Sequence, residues 1–152
     1  MFYLKRGLVL FWSLWLTVVF STNACDGLKE LGALDEQWRF ASGNFRFLVD
    51  TTARYDAPAW LNGVLFLGVI LWEGSAAVLF WLAWWQTRRQ PPATSRLLHA
   101  AFFVSIMLWG AFMLADELLM AYKVESTHLA LFTGQLVTLL AIVLLPDTRP
   151  DS

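Results

Sequence analysis

Four long apolar runs constrain this chain of 152 residues more than any other feature of its sequence. They cover approximately residues 7–24, 59–85, 97–122 and 129–145. A bilayer core about 30 Å thick requires roughly 20 apolar residues to be crossed by an α-helix, so each run is long enough to span a membrane. The sequence therefore predicts an all-α fold, a bundle of four transmembrane helices that makes up one membrane domain over residues 1–152.

The overall composition agrees with a membrane protein. Hydrophobic residues make up 58% of the chain and charged residues 15%, whereas a soluble domain is usually about 45–50% apolar and about 25% charged. The formal net charge is −1, and the charges lie almost entirely between the apolar runs. This pattern excludes a soluble globule, a disordered chain and a nucleic-acid-binding protein, which would need an excess of basic residues.

The distribution of Lys and Arg predicts the orientation, because these residues are concentrated in cytoplasmic loops. The loop 25–58 has four basic and six acidic residues, and the linker before the fourth run has only Lys123 as a base. Further basic residues lie before the first run, in the linker 86–96 and in the C-terminal tail: Lys5, Arg6, Arg88, Arg89, Arg96 and Arg149. We therefore expect a bacterial inner-membrane protein with both termini in the cytoplasm and one larger periplasmic loop, residues 25–58.

The first run also has features of a signal peptide, with basic residues before it and small residues near its end. Thr22 stands where a lipoprotein cleavage site prefers Leu, and the run is longer than a usual signal core, so we expect an uncleaved helix. Cys25 is the single cysteine of the chain. Intrachain disulfides, Cys-rich metal sites and paired-cysteine thiol oxidoreductases are therefore excluded.

The loop 25–58 contains a stretch of helical periodicity. From Asp26 to Phe47 its apolar residues are Leu28, Leu31, Leu34, Trp38 and Phe45. Gly43 and Asn44 interrupt this stretch near its end. The spacing predicts a helical segment that lies in the interface plane or caps the bundle.

Glu73 is the deepest charged residue of the predicted helices. It lies 14 residues after Ala59, about 21 Å along a helix that rises 1.5 Å per residue. A carboxylate at that depth costs roughly 2.5–3.5 kcal/mol, so we expect it to face the bundle interior and to be protonated or paired. Its expected partner is Gln135 or Asn62, and small residues beside it, Gly74, Ala76 and Ala77, would allow a neighbouring helix to approach closely.

A second group of polar residues is predicted in the outer half of the bundle. Asp116 and Glu117 end the third run, Glu125 and His128 follow in the short linker, and Gln135 lies about two turns into the fourth run. Asn23 and Asp26 lie at the outer end of the first. Polar side chains from all four helices are therefore expected to gather there.

Four interpretations of these polar residues remain open. They are a hydrogen-bonded network that fixes helix packing, a proton or cation site centred on Glu73, a metal site, or a small-molecule or quinone pocket with Trp72, Trp109 and Phe112 as walls. The metal site would use Glu125 and His128, whose Glu-x-x-His spacing places both ligands on one helical face, together with Glu117. No arrangement typical of nucleophilic catalysis is present, so we predict no catalytic residue and no cofactor.

Several phrases of the sequence resemble one family. They are the Asn-x-x-Asp exit from the first run (Asn23, Asp26), WEGSAAVLFWLAWW at 72–85, LWGAFMLADELLMAY at 108–122 and the final Leu-Pro-Asp at 145–147. Together they are similar to the bacterial small integral membrane proteins known as domain of unknown function 2165. The resemblance implies a four-helix membrane fold, matches Glu73, Glu117, Met120 and Gln135 by position, and implies no activity. The chain departs from the family at Ala115–Leu118, where a Gly-Gly-Glu-Trp-like stretch is expected, and at His128.

The sequence favours a non-catalytic function. With one modest loop outside the membrane, we predict an accessory or assembly subunit that packs in the lipid bilayer against a larger membrane complex or against itself. The alternatives are a small proton-coupled transporter that uses Glu73 and a metal- or quinone-linked redox subunit.

Overall fold

The computed structural model describes residues 1–146, which contain five α-helices and no strand. The α-helices are α1 (Phe2–Glu30), α2 (Asn44–Thr52), α3 (Ala59–Gln86), α4 (Arg96–Leu119) and α5 (Tyr122–Leu144). Short 3₁₀ turns occur at Ala53–Tyr55 and Pro92–Thr94. The prediction of an all-α chain is confirmed for these residues, while Asp147 and Arg149, used in the sequence comparison and the charge argument, lie outside them.

Four of the helices are long and apolar enough to cross a membrane. They are α1, α3, α4 and α5, whose most apolar segments have mean hydropathies of 1.6 to 2.0. Consecutive long helices pack against each other, α1 on α3, α3 on α4 and α4 on α5. We call the end where α1 begins and α5 stops the terminal end, and the end that carries residues 31–58 the loop end.

The apolar core occupies the half of the molecule nearer the terminal end. Most of its buried residues come from the first half of α1, the second half of α3, the first half of α4 and the last part of α5, and they include Val9, Leu16, Phe80, Phe102 and Ile142. Phe80 and Phe102 meet edge to face with their ring centroids 4.9 Å apart, a geometry that adds to the stabilisation from area burial. Polar residues in the other half therefore lie apart from this core.

The boundary between the last two helices differs from the prediction of helices at 97–122 and 129–145. Met120 has φ of 52°, a left-handed conformation that ends α4, and α5 begins only two residues later at Tyr122. The sequence did not predict this early start of α5, because residues 123–128 are largely polar and resemble a linker in composition. Glu125 and His128 are consequently helical residues of α5, and the prediction that placed them in a linker is wrong.

The first helix and the loop that follows it also differ from the prediction. Helix α1 extends from Phe2 to Glu30, beyond the predicted 7–24 at both ends. The predicted helical stretch from Asp26 to Phe47 is wrong in its middle, because residues 31–43 are not helical. Gly32 and Gly43 have φ of 69° and 76°, conformations that a glycine adopts without strain, and α2 starts directly after Gly43.

Candidate functional site

Glu73 is the centre of a buried polar contact between two long helices. It lies in the middle of α3, and its side chain is 1% exposed. The side-chain amide of Asn23 on α1 donates to both of its carboxyl oxygens at 2.8 Å. This contact satisfies a carboxyl group that would otherwise be costly to bury among apolar helices.

A close approach of α1 and α3 makes this contact possible. A Cβ atom added to Gly74 would lie 3.0 Å from the ring of Phe20, so the ring packs directly on the glycine backbone. Ala76 and Ala77 beside it are buried. Of the small residues beside Glu73, Gly74 is the one that lies against α1, through Phe20.

The Asn23–Glu73 contact continues to the surface at the loop end. The side-chain oxygen of Asn23 accepts a hydrogen bond from the side-chain amide of Asn44 at 2.8 Å. Asn44 is the first residue of α2 and is exposed. Three side chains, Asn44, Asn23 and Glu73, therefore form one hydrogen-bonded chain from the surface to the middle of α3.

Asp26, one turn beyond Asn23 on α1, holds the start of α2 over this chain. Its carboxylate accepts hydrogen bonds from the backbone N–H of Phe45 at 2.8 Å and from the Ser42 hydroxyl at 3.1 Å. A carboxylate at the first turn of a helix satisfies a free N–H group and interacts favourably with the helix dipole. The backbone of Ser42 also donates to the carbonyl of Thr22 at 3.2 Å.

The rest of the loop segment is attached to α3 and α4. Thr52 at the end of α2 donates to Asn62 on α3 at 2.8 Å. Phe45 meets Phe66 edge to face at 5.4 Å. Further along, the Tyr55 hydroxyl donates to the carbonyl of Leu118 on α4 at 2.6 Å. Residues 42–58 are therefore bound to three of the long helices.

A second polar group lies between α4 and α5 and is separate from the first. Asp116 and His128 form a contact of 2.6 Å between Oδ2 and Nδ1. The His128 ring lies against Phe112 and Trp109, with centroid distances of 4.9 and 6.2 Å. Asp116 is buried and His128 half-buried, so the pair fixes the two helices where they meet at the loop end.

Gln135 belongs to a third contact, deeper between the same two helices. It is fully buried, and its amide donates to the Ser105 hydroxyl at 2.7 Å. Within residues 1–146, its carbonyl oxygen and the indole N–H of Trp109 are buried without a hydrogen-bond partner. The side chain of Trp12, from α1, reaches α5 nearby and donates to Thr138 at 3.2 Å.

The predicted partners of Glu73 were wrong. Gln135 bonds to Ser105 and Asn62 to Thr52, and Asn23 takes the place that was expected for one of them. The prediction placed Asn23 at the end of the first helix because the run was read as ending at residue 24. The polar spacing of Asn23 and Asp26, three residues apart on one helical face, is the signal that α1 continues and presents both to the loop.

The residues of the predicted metal site do not come together as a ligand set. Across residues 1–146, no three His, Cys, Asp or Glu side chains lie close enough to hold one metal ion. Glu125 and His128 do share helix α5, but His128 pairs with Asp116, and Glu117 is exposed. The partner of His128 is Asp116, which was predicted as an intramembrane polar residue and possible proton site and not as a metal ligand.

Taken together, the polar residues form helix-to-helix contacts rather than one common cluster. Glu73 joins α1 to α3, while Asp116 and Gln135 join α4 to α5. Chemically, the first group is a carboxyl with a hydrogen-bonded connection to the loop end. Comparisons with protein-family models, curated proteins and solved structures found no match to this chain, so the resemblance to domain of unknown function 2165 stays an expectation.

Proposed function

We propose that this chain is an accessory or assembly subunit of the bacterial inner membrane that has no catalytic activity of its own. Its four long helices cross the bilayer with both ends in the cytoplasm, and residues 31–58 lie on the periplasmic side. In the membrane it packs laterally against a larger complex or a second copy of itself.

The outward face of α5 is the observation that carries this proposal. Only Gln135 and Ile142 of this helix are buried. Helix α5 packs on α4 and touches α1 through the long side chain of Trp12, so it lies at the edge of the helix array. Its exposed apolar residues include Leu129, Leu136, Val137, Leu140 and Val143, a surface on which a partner helix can pack.

The buried polar contacts support the same proposal. Asn23, Asp26 and Asp116 direct their hydrogen bonds to other residues of the chain, where they hold helices and the loop segment in place. A polar network of this kind gives a small helical protein a defined shape, which a packing subunit needs for a specific interface.

Purification of the tagged full chain in a mild detergent tests the proposal. We expect it to elute with stoichiometric amounts of a larger membrane subunit or as an oligomer of itself. A protein that elutes as a monomer from membranes of its own host, across several mild detergents, would contradict a packing role.

Site-directed cross-linking then tests whether α5 is the contact face. In a Cys25→Ser background, a cysteine replaces either Val137 on α5 or Val78 on α3. Val137 and Val78 are 59% and 58% exposed and lie at similar distances from the terminal end, so position 78 is a matched control for position 137. We expect cross-links from position 137 and none from position 78, and equal cross-linking from both positions would rule out a specific α5 interface.

A small proton-coupled transporter remains the second candidate, because one observation favours it. The Asn44–Asn23–Glu73 chain connects a surface side chain to a carboxyl in the middle of α3. Proton uptake by vesicles that contain the purified protein, measured for the wild type and for Glu73→Gln, separates the two functions. Uptake that depends on Glu73 would support the transporter, whereas an accessory subunit gives the same background with both proteins.

A further inference from the structure

Within residues 1–146, the terminal end carries an excess of positive charge. The segments that form it within residues 1–146 contain no Asp or Glu, and their basic residues are Lys5, Arg6, Arg88, Arg89 and Arg96. All ten acidic residues of this part of the chain lie in the middle of α3 or toward the loop end. A concentration of basic side chains beside membrane helices attracts anionic lipid headgroups.

Two of these basic residues meet at one indole ring. The guanidinium of Arg6 on α1 lies 5.9 Å from the ring centroid of Trp84 on α3, and that of Arg88 lies 4.9 Å from the same ring. Arg88 also lies 5.5 Å from the ring of Trp85. Each guanidinium therefore makes a cation–π contact with the same indole ring, so the two cations share one aromatic partner.

The two arginines have hydrogen-bonding capacity left over. Within the part of the chain that the structure describes, neither has a carboxylate partner. The Arg6 Nε–H is buried and has no acceptor among residues 1–146. Each guanidinium has five N–H donors in a planar fork, a geometry that matches a phosphate group and binds it with two parallel hydrogen bonds.

An apolar groove lies directly beside this basic site. It has a volume of about 470 Å³ and is lined by Val78, Trp81, Leu82 and Trp85 along α3. Trp85 is shared, since it borders the groove and contacts Arg88. The Trp81 indole donates to Thr17 on α1 at 2.9 Å, so one wall of the groove is fixed in place.

We propose that the terminal end binds one anionic phospholipid, with its phosphate held by Arg6 and Arg88 and an acyl chain in the groove along α3. The groove favours a lipid over a free phosphate ion, because a soluble anion would use the basic site alone. A general excess of basic residues at a cytoplasmic membrane surface explains neither the shared indole nor the adjoining groove. This site is independent of the proposed packing role of α5.

Native mass spectrometry of the purified full chain with added phosphatidylglycerol or phosphatidylcholine tests the proposal. We expect one phosphatidylglycerol to be retained in preference to phosphatidylcholine. For each arginine replaced by Gln, at position 6 or 88, affinity should weaken about fivefold, the effect of one basic side chain near a membrane surface. Equal retention of the two lipids by the wild type would overturn the proposal without any variant.

Matched variants distinguish lipid binding at Arg6 and Arg88 from general electrostatic attraction to the basic terminal end. Arg89→Gln and Arg96→Gln remove the same charge from the same end, at residues without a contact to Trp84, and we expect them to keep the preference. An equal loss of affinity for phosphatidylglycerol in these two controls would refute the proposal of a specific site. Arg6→Lys and Arg88→Lys keep the charge without the planar fork and should recover part of the affinity. Displacement of the lipid by an equal concentration of inorganic phosphate would also refute the proposal, since the occupant would then be a soluble anion.

Discussion

The side-chain amide of Asn23 donates to both carboxyl oxygens of Glu73, across the interface of α1 and α3. Neither residue is exposed by more than 2%. This contact ties the first helix to the second long helix, and through Asn44 it ties both to the loop segment.

Replacement of Glu73 by Ala should destabilise the protein more than replacement by Gln. Alanine leaves the Asn23 amide buried without an acceptor and opens a cavity, for a loss of about 2 kcal/mol or more, whereas Gln keeps one acceptor oxygen. Thermal unfolding in detergent, followed by circular dichroism, measures the difference. Ser75→Ala, at an exposed residue of the same helix, is the control. Equal stability of Glu73→Ala and the wild type would contradict the importance of the contact.

Gly74→Ala should weaken the packing of α1 on α3. Its new Cβ would lie 3.0 Å from the Phe20 ring, and the overpacking is expected to cost about 1–3 kcal/mol. Gly68→Ala is a matched control on the same helix, because no atom lies within 4 Å of its added Cβ. We expect the control to leave the unfolding temperature unchanged or to raise it slightly. If both substitutions have the same effect, helix propensity and not the Phe20 contact determines the outcome.

Asp26→Ala should release α2 and residues 31–43 from the long helices. It removes the acceptor of the Phe45 N–H and of the Ser42 hydroxyl, with an expected cost of about 1–2 kcal/mol for the local structure. Hydrogen exchange should rise at residues 44–52 and stay unchanged in α4. Asp50→Ala removes the same charge from an exposed position of α2 and should have little effect. Unchanged exchange in the Asp26 variant would show that other contacts hold α2.

Asp116→Ala should loosen the α4–α5 interface at the loop end. The substitution leaves His128 without its partner at 2.6 Å, for an expected loss of about 1–3 kcal/mol in the free energy of unfolding. The adjacent Glu117 is exposed, so Glu117→Ala is the matched control and should stay within about 0.5 kcal/mol of the wild type. An equal loss in the two variants would contradict the different roles assigned to these neighbours.

The sequence identified several of the buried polar residues, among them Glu73, Asp116 and Gln135, but it could not pair them. Burial of Glu73 follows from its position in an apolar run, because a carboxyl at that depth must avoid lipid. Its partner depends on which helix lies beside α3 and at what height, and composition does not encode this. The choice of Gln135 and Asn62 failed for that reason, and Asp116 rather than Glu117 meets His128 because the two carboxylates point to different sides of α4.

For the helix ends, too, the sequence predicted one part of the structure and not the other. Apolar length alone was sufficient to predict four long helices, since backbone N–H and C=O groups in lipid must be hydrogen-bonded within the protein and few other folds achieve this. The start of α5 at Tyr122 could not be predicted in this way. It depends on the left-handed conformation of Met120, and the largely polar composition of residues 123–128 indicated a linker instead of a helix. The sequence by itself determined an all-helical chain with four long apolar helices and a buried carboxyl. Only the tertiary structure decided which side chains meet, because a hydrogen bond depends on the relative rotation and height of two helices, and each helix carries its own polar pattern without reference to the other.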